Sequence, residues 1–130
     1  MTPDLVSTSF STKALEADDT FYLCHGQAGE WKLVGLSFVA SGAVSGSSNK
    51  FTLAVSDGST SVATTYDSET TAVVEGTAAS LTLSEAGTAR EFGPTDSVKV
   101  VYDETGTVSV DIQFVCAWQT NWMSTDTVPV

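Results

Sequence analysis

Basic residues are scarce in this chain of 130 residues. Five Lys and Arg stand against 16 Asp and Glu, which gives a formal net charge of -11 at pH 7. A field of that sign repels the phosphates of nucleic acids and the anionic surfaces of membranes, so we expect neither as a partner. The acidic residues are dispersed along the chain, which is typical of a solvated surface.

Long apolar runs are also missing. No segment approaches the roughly 18 apolar residues of a membrane-spanning helix. The first residues, Met1 to Asp4, lack the basic and apolar regions of a secretory signal. We therefore expect a protein that is made in the cytoplasm, unless a leader was removed, and that is long enough for one domain with its own core.

The residue types that most often carry chemistry are few. The only histidine, His25, follows Cys24, and adjacent strand residues point to opposite faces, which argues against a shared metal or nucleophile site. No nucleophile elbow and no phosphate-binding loop is present. We expect no catalytic residue, no cofactor and no metal.

Acidic pairs and cysteines each leave an alternative open. The acidic pairs lie in predicted turns or strand ends, where solvated carboxylates are expected and bound calcium is the alternative; they are Asp18 with Asp19, Asp67 with Glu69, and Asp103 with Glu104. Cys24 and Cys116 lie in apolar strand patterns and are expected as small buried residues, with a disulfide as the alternative.

The two-residue period of β-strands is the clearest pattern in the chain. Every second residue from Val108 to Trp118 is large or apolar, which predicts a strand with one face in a core. Turn residues separate the strand candidates and predict antiparallel pairs in a sandwich or barrel. The candidates are residues 20–25, 31–40, 51–56, 61–66, 79–84, 97–102 and 107–118, with a short extra strand possible at 72–74. Gly35 within the second is expected to be a bulge or close backbone approach, with ligand contact as the alternative.

The two ends of the chain lack this period. Residues 1–18 are expected to form an N-terminal arm, in which 5–10 could be an edge strand and 12–16 at most one helical turn. Residues 19–118 are expected to form the β-sandwich domain, and residues 119–130 a C-terminal tail.

Two stretches carry a resemblance to a known family. Phe21–His25 leads through a glycine-containing turn to Trp31–Leu36, and Gly93–Val100 runs through Thr105–Thr107 to the last strand. In this order, over roughly residues 20–118, the chain resembles the small jelly-roll decoration (cement) proteins of tailed bacteriophage capsids. The likeness consists of pattern and turn placement, so no functional residue is carried over from it.

The resemblance implies an all-β fold, an antiparallel, jelly-roll-like β-sandwich of about eight strands. It implies a non-enzymatic protein that binds the major capsid protein on the outer surface of a phage head, most often as a homotrimer. Such a protein stabilises the head.

Candidate contacts lie at the two ends and on the last strand. Trp122 and Met123 form an apolar pair on a polar tail, which could anchor a partner or fold back over the sandwich edge. The outward face of the last strand changes from polar to apolar at Val115. We expect subunit or capsid contacts at Leu5, Phe10, Leu15, Val115, Trp122 and Met123.

Other functions remain open at this stage. A carbohydrate-binding module of a phage fibre or tail would require a row of exposed aromatic side chains. Another kind of virion structural protein would share the same fold. A small barrel enzyme would require an internal cavity with converging polar groups.

Overall fold

A computed structural model describes residues 6–15, 17–25, 31–85, 89–93 and 95–120. These residues form nine β-strands and no helix, so this part of the chain contains no helix that could cross a membrane. The strands are β1 (Val6–Leu15), β2 (Asp19–His25), β3 (Trp31–Ala40), β4 (Lys50–Ser56), β5 (Tyr66–Asp67), β6 (Ala79–Ser80), β7 (Glu91–Phe92), β8 (Ser97–Thr105) and β9 (Val110–Thr120).

The strands form two antiparallel sheets. The first sheet has the order β1-β9-β3-β6, with β7 also paired to β3, and the second has the order β2-β8-β4-β5. Leaving the short β7 aside, the pairing is nested: β1 with β9, β2 with β8, β3 with β6 and β4 with β5. This is the pattern of one long hairpin rolled into a sandwich, which is the jelly roll. The fold predicted from the sequence is therefore confirmed.

The core lies between the two sheets and is rich in aromatic side chains. Along β9 the inward residues alternate with outward ones, and Ile112, Phe114 and Trp118 are each 0% exposed. The Phe38 ring lies 4.9 Å from that of Tyr66 and 6.0 Å from that of Phe114, so rings from both sheets meet across the sandwich. The faces predicted for the last strand are thus those of the structure.

Three local predictions were wrong. The segment 12–16 was expected to hold at most a helical turn, but strand β1 runs to Leu15 because its backbone pairs with β9. Serine and threonine lie on both faces of β1, which hides the strand period. The long strands expected at 61–66 and 79–84 are only the two-residue β5 and β6 with isolated bridges such as Ala63 to Leu83.

Gly35 marks a bulge, as its sequence position predicted. The register between β3 and β9 shifts between Leu33 and Gly35. A Cβ at Gly35 would lie 3.2 Å from the Cβ of Ala117, which is tighter than ordinary van der Waals contact. The glycine therefore allows the two central strands of the first sheet to approach closely at this point.

Candidate interaction surface

The outer face of the first sheet is built on three successive outward residues of β9. Gln113, Val115 and Ala117 alternate with the buried Phe114 and Cys116. Residues that are directly paired across an antiparallel sheet lie on the same face. The face therefore follows from the registers of β9 with β1 and β3.

Each of the three β9 residues has one partner on either side. Thr12 and Val39 flank Gln113, residue 10 and Ser37 flank Val115, and Thr8 and Gly35 flank Ala117. We call the described members of these rows the neutral face: Thr8, Thr12, Gly35, Ser37, Val39, Gln113, Val115 and Ala117.

No member of the neutral face is charged. Apart from Gln113, its side chains are small or β-branched, and Val39, Val115 and Ala117 are partly buried although they point away from the core. The nearest acid along β9 is Asp111, and Lys32 is paired with Gln119 beyond the other end. The chain thus presents an uncharged sheet surface although its net charge is -11.

A shallow depression of about 390 Å³ opens at the Asp111 end of the neutral face. It is lined by Thr12, Val39, Ala40, Ser41, Glu75, Gly76, Asp111, Ile112 and Gln113. Most of its lining is uncharged, so it extends the neutral face toward the loop that carries Glu75.

The outer face of the second sheet differs in charge. Lys99 lies between Tyr22 and Ser56 in register, and Asp103 and Asp67 flank Thr52. At the start of β4, the Nζ of Lys50 lies 2.6 Å from the Oε2 of Glu69. The two outer faces of the sandwich are therefore chemically distinct.

The described surface presents no row of aromatic side chains. Tyr22 is 62% exposed, whereas Tyr66 and Tyr102 are buried and Trp31 packs partly against the core. A carbohydrate-binding sandwich relies on such a row, so these residues do not supply it.

Four of the six acidic residues singled out in the sequence, Asp18, Asp19, Asp67 and Glu69, are engaged with backbone amides or with a lysine. Asp19 lies 2.7 Å from Lys13 and accepts a hydrogen bond from the Thr20 amide, and both interactions hold the pKa of Asp19 below its ordinary value. Asp18 accepts a hydrogen bond from the Glu104 amide, linking the start of β2 to β8.

Asp67 and Glu69, at and just after β5, also bind a backbone amide and a lysine. Asp67 accepts a hydrogen bond from the Glu69 amide, and Glu69 in turn pairs with Lys50, whose pKa is raised by that contact. Within the described ranges, no group of three or more His, Cys, Asp or Glu side chains is arranged so that it could hold a metal ion. Asp18, Asp19, Asp67 and Glu69 act as turn caps and as links between strands.

The predicted contact residues fall in different parts of the structure. Val115 is at the centre of the neutral face, and Phe10 holds the register position directly opposite it. Leu15 is 1% exposed and packs into the core, so its side chain does not reach the surface. Leu5, Trp122 and Met123 lie outside the described residues, as do the side chains of Cys24 and His25.

Sequence reasoning missed the members of the neutral face on β1 and β3. Ser37 and Thr8 carry no signal of their own in the sequence, and the signal at Gly35 indicated a bulge and did not assign it to this face. They join Val115 and Ala117 only through the long-range pairing of three strands. Only the register of the three strands shows that these residues share one face.

Comparison with known proteins gives matches of fold only. No family model and no curated protein matches the sequence. A chain of the capsid asymmetric unit of cyanophage Pam1 is similar with a TM-score of 0.61, at 13% identity, over 89% of this chain and 85% of that one. The likeness shows the fold. The predicted resemblance to proteins of phage capsids is thus confirmed at the level of fold.

A second structural match has a different origin. A chain in the structure of infectious bursal disease virus Gx strain has a TM-score of 0.50 at 14% identity. The match covers 98% of this chain but 35% of that one, so this chain spans about a third of the viral chain. Both structures come from viruses, and neither supplies a residue-level correspondence.

Proposed function

We propose that this chain is a virion structural protein, and specifically a non-enzymatic decoration (cement) protein that binds the outer surface of a phage head and stabilises it. It contacts the major capsid protein and forms a homo-oligomer, with a trimer favoured. The fold likeness to a chain of a phage capsid supports a role in the virion. The neutral face is the observed surface on which we base the proposed contact.

Charge explains why this face suits a protein partner. A chain with a net charge of -11 repels another acidic surface at most points of approach. The neutral face carries no acid, so a partner can cover it without burying an unpaired carboxylate. It spans three neighbouring strands and is free of charged residues, and charged residues are depleted at the centres of protein interfaces.

Residues beyond the described strands complete the proposed contact. Val6 pairs with Gln119, so the segments that carry Leu5 and Trp122 with Met123 begin at the same end of the first sheet. We propose that these residues, together with Phe10 and Val115, contact a neighbouring subunit or the shell. Leu15 is not part of this proposal because its side chain lies in the core.

A mass measurement and a binding measurement test the proposal together. Light scattering of the purified protein should give the mass of an oligomer, with three copies expected. The protein should co-sediment with expanded heads of the phage that encodes it, and the amount of bound protein should reach saturation. A strict monomer that does not bind heads would overturn the proposal.

A pair of matched variants locates the contact. Val115→Glu places an acid at the centre of the neutral face and should abolish oligomer formation or head binding. Val101→Glu places the same charge on the outer face of the second sheet, where Val101 is also partly buried, and should retain both. Equal loss in the two variants would argue against a contact at the neutral face.

The same sedimentation assay separates the other virion roles. Binding to tails or fibres and not to heads would indicate a different structural protein of the particle. Binding to a glycan array would favour the carbohydrate-binding module.

A further inference from the structure

Strand β1 is a long edge strand. It pairs on one side with β9 through ten consecutive residues, from Val6 opposite Gln119 to Leu15 opposite Val110, with no shift of register. No described strand pairs with its other side. Alternate residues of an antiparallel strand direct their N–H and C=O groups away from a given neighbour, so β1 presents a row of peptide groups along this side.

The remaining edges of the described sheets are interrupted or short. Strand β2 has a register shift between Tyr22 and His25 and begins with the charged Asp19. Strands β5, β6 and β7 have two residues each. Bulges, charges and short length are the usual means by which proteins prevent pairing at an edge. Among the described edges, β1 is long and unbroken.

One charged side chain protects one end of β1. Lys13 is the only charged residue of the strand, which contains no proline and no glycine. Its Nζ lies 2.7 Å from Asp19 and 5.5 Å from the centroid of the Phe21 ring, so its charge is held beside the start of β2. An added strand would have to pass this ion pair at the Leu15 end. We call Val6–Thr12 the open part of β1 because no described strand pairs with its second side, and it is about the length of an ordinary strand.

The open part of β1 carries no negative charge that would repel a second copy of this acidic chain. Val6–Thr12 contains no acid, and neither does the stretch Gln113–Gln119 of β9 behind it. Like charges placed opposite each other destabilise a strand pair. Two copies of this acidic chain can meet along this edge without such a pair.

We propose that two copies of this chain pair through Val6–Thr12 of β1, antiparallel about a two-fold axis, so that their first sheets join into one. A two-fold contact uses the same surface of both copies, which an antiparallel pair of identical strands satisfies. The main chain supplies the hydrogen bonds, as in other cases of strand addition. The contact uses the main-chain groups at the free edge of β1, whereas the neutral face uses outward side chains, so the pairing does not depend on head binding even though Thr8 and Thr12 belong to both regions.

The contact is small, so it is weak in solution. One strand pair buries less than the roughly 1,200–2,000 Å² of a stable interface. We expect monomers or trimers to associate further only at high protein concentration, or where a surface holds many copies side by side.

A cysteine scan tests the pairing and its register. Thr8→Cys, Phe10→Cys and Thr12→Cys each place one cysteine in the open part of β1, at every second residue. Each variant is oxidised alone, and each pair of variants is also oxidised as an equimolar mixture. Directly opposed residues have Cα atoms about 4.5–5.5 Å apart, which a disulfide spans, whereas residues one step out of register are farther apart. A single register therefore cross-links only combinations whose residue numbers have the same sum. Thr20→Cys on the edge strand β2 and the unchanged chain are the controls and should not cross-link between copies.

A charge test measures the strength of the contact. Thr8→Glu with Thr12→Glu places acids at the pairing edge, and the double variant Thr20→Glu with Thr52→Glu adds the same charge to the second sheet. We expect the first to raise the Kd of association at least tenfold in sedimentation velocity and the second to change it little. No concentration-dependent association, or cross-links with inconsistent sums, would overturn the proposal. Thr8 and Thr12 also belong to the neutral face, so Val115→Glu is the matched control: it should impair head binding but leave the cross-links of the cysteine scan unchanged, and the two proposals can then fail independently.

Discussion

Ser68 and Phe51 are joined by two hydrogen bonds next to β5. The Phe51 amide donates to the Ser68 Oγ at 2.9 Å, and the Ser68 amide donates to the Phe51 carbonyl at 3.0 Å. Ser68 is 0% exposed, and it is the one residue other than hydrophobic ones that is buried among those whose burial the structure describes. Its hydroxyl replaces a backbone acceptor where the short strand β5 has ended.

Ser68→Ala should therefore destabilise the fold. The Phe51 amide would be left buried without its acceptor, and the free energy of unfolding should fall by about 1–3 kcal/mol. Urea denaturation measures this. Ser47→Ala, at an exposed loop position, should change it by no more than ~0.5 kcal/mol. A neutral result at Ser68 would mean that water reaches the amide.

Neighbouring residues of β9 should respond in opposite ways. Ile112 is 0% exposed, and Ile112→Ala should cost about 2–5 kcal/mol because it leaves a cavity. Asp111 is exposed, and its hydrogen bonds with Ser41 use the main chain, so Asp111→Ala should cost ~0.5 kcal/mol or less. Equal effects in thermal or urea unfolding would contradict the assignment of the two faces.

Two turn glycines should tolerate alanine to different degrees. Gly58 and Gly106 both have positive φ, at 106° and 74°. A Cβ at Gly58 would meet open space, so Gly58→Ala should cost about 1–2 kcal/mol from the backbone alone. A Cβ at Gly106 would clash with the Ser48 carbonyl and the Asn49 side chain, so Gly106→Ala should cost clearly more. Similar melting temperatures for the two variants would show that the Asn49 loop moves aside.

Tyr102 should make the fold sensitive to alkali. Burial, with the hydrogen bond to Glu104, raises the pKa of Tyr102 above its ordinary value of 10.0. A raised pKa in the folded state favours the protonated form, so this stability is present below about pH 10 and is lost as the pH rises further. In urea unfolding at several alkaline pH values, Tyr102→Phe should show a shallower decline. Burial also raises the pKa of Tyr66, so some dependence should remain.

The period of two predicted the strands whose faces differ most in polarity. In β4 and β9 the large apolar residues recur at every second position, and their buried faces are those expected from the sequence. The turn at Asp57-Gly58 also rests on local chemistry, since Asp57 accepts hydrogen bonds from the Ser59 and Thr60 amides. Local chemistry fixes these features, so a single sequence reveals them.

Features that depend on distant partners were not readable. Strand β1 has serine and threonine on both faces and is a strand because β9 supplies its hydrogen bonds. Val115 could be chosen from its own strand, but Ser37 and Gly35 become its neighbours only through the register of β3 with β9. The neutral face is therefore a property of the pairing, which no segment encodes alone.

The nested pairing of the sandwich also orders its folding. The innermost pair, β4 with β5, closes a short loop, and each pair outside it joins residues farther apart in the chain, ending with Val6 and Gln119. Closing a loop costs entropy that grows with its length, and non-local pairing slows folding. If the inner pairs form first, they shorten the loop that each outer pair has to close. We expect β1 to dock last and to detach first. The interactions that hold β1 against β9 therefore determine how long the chain stays folded.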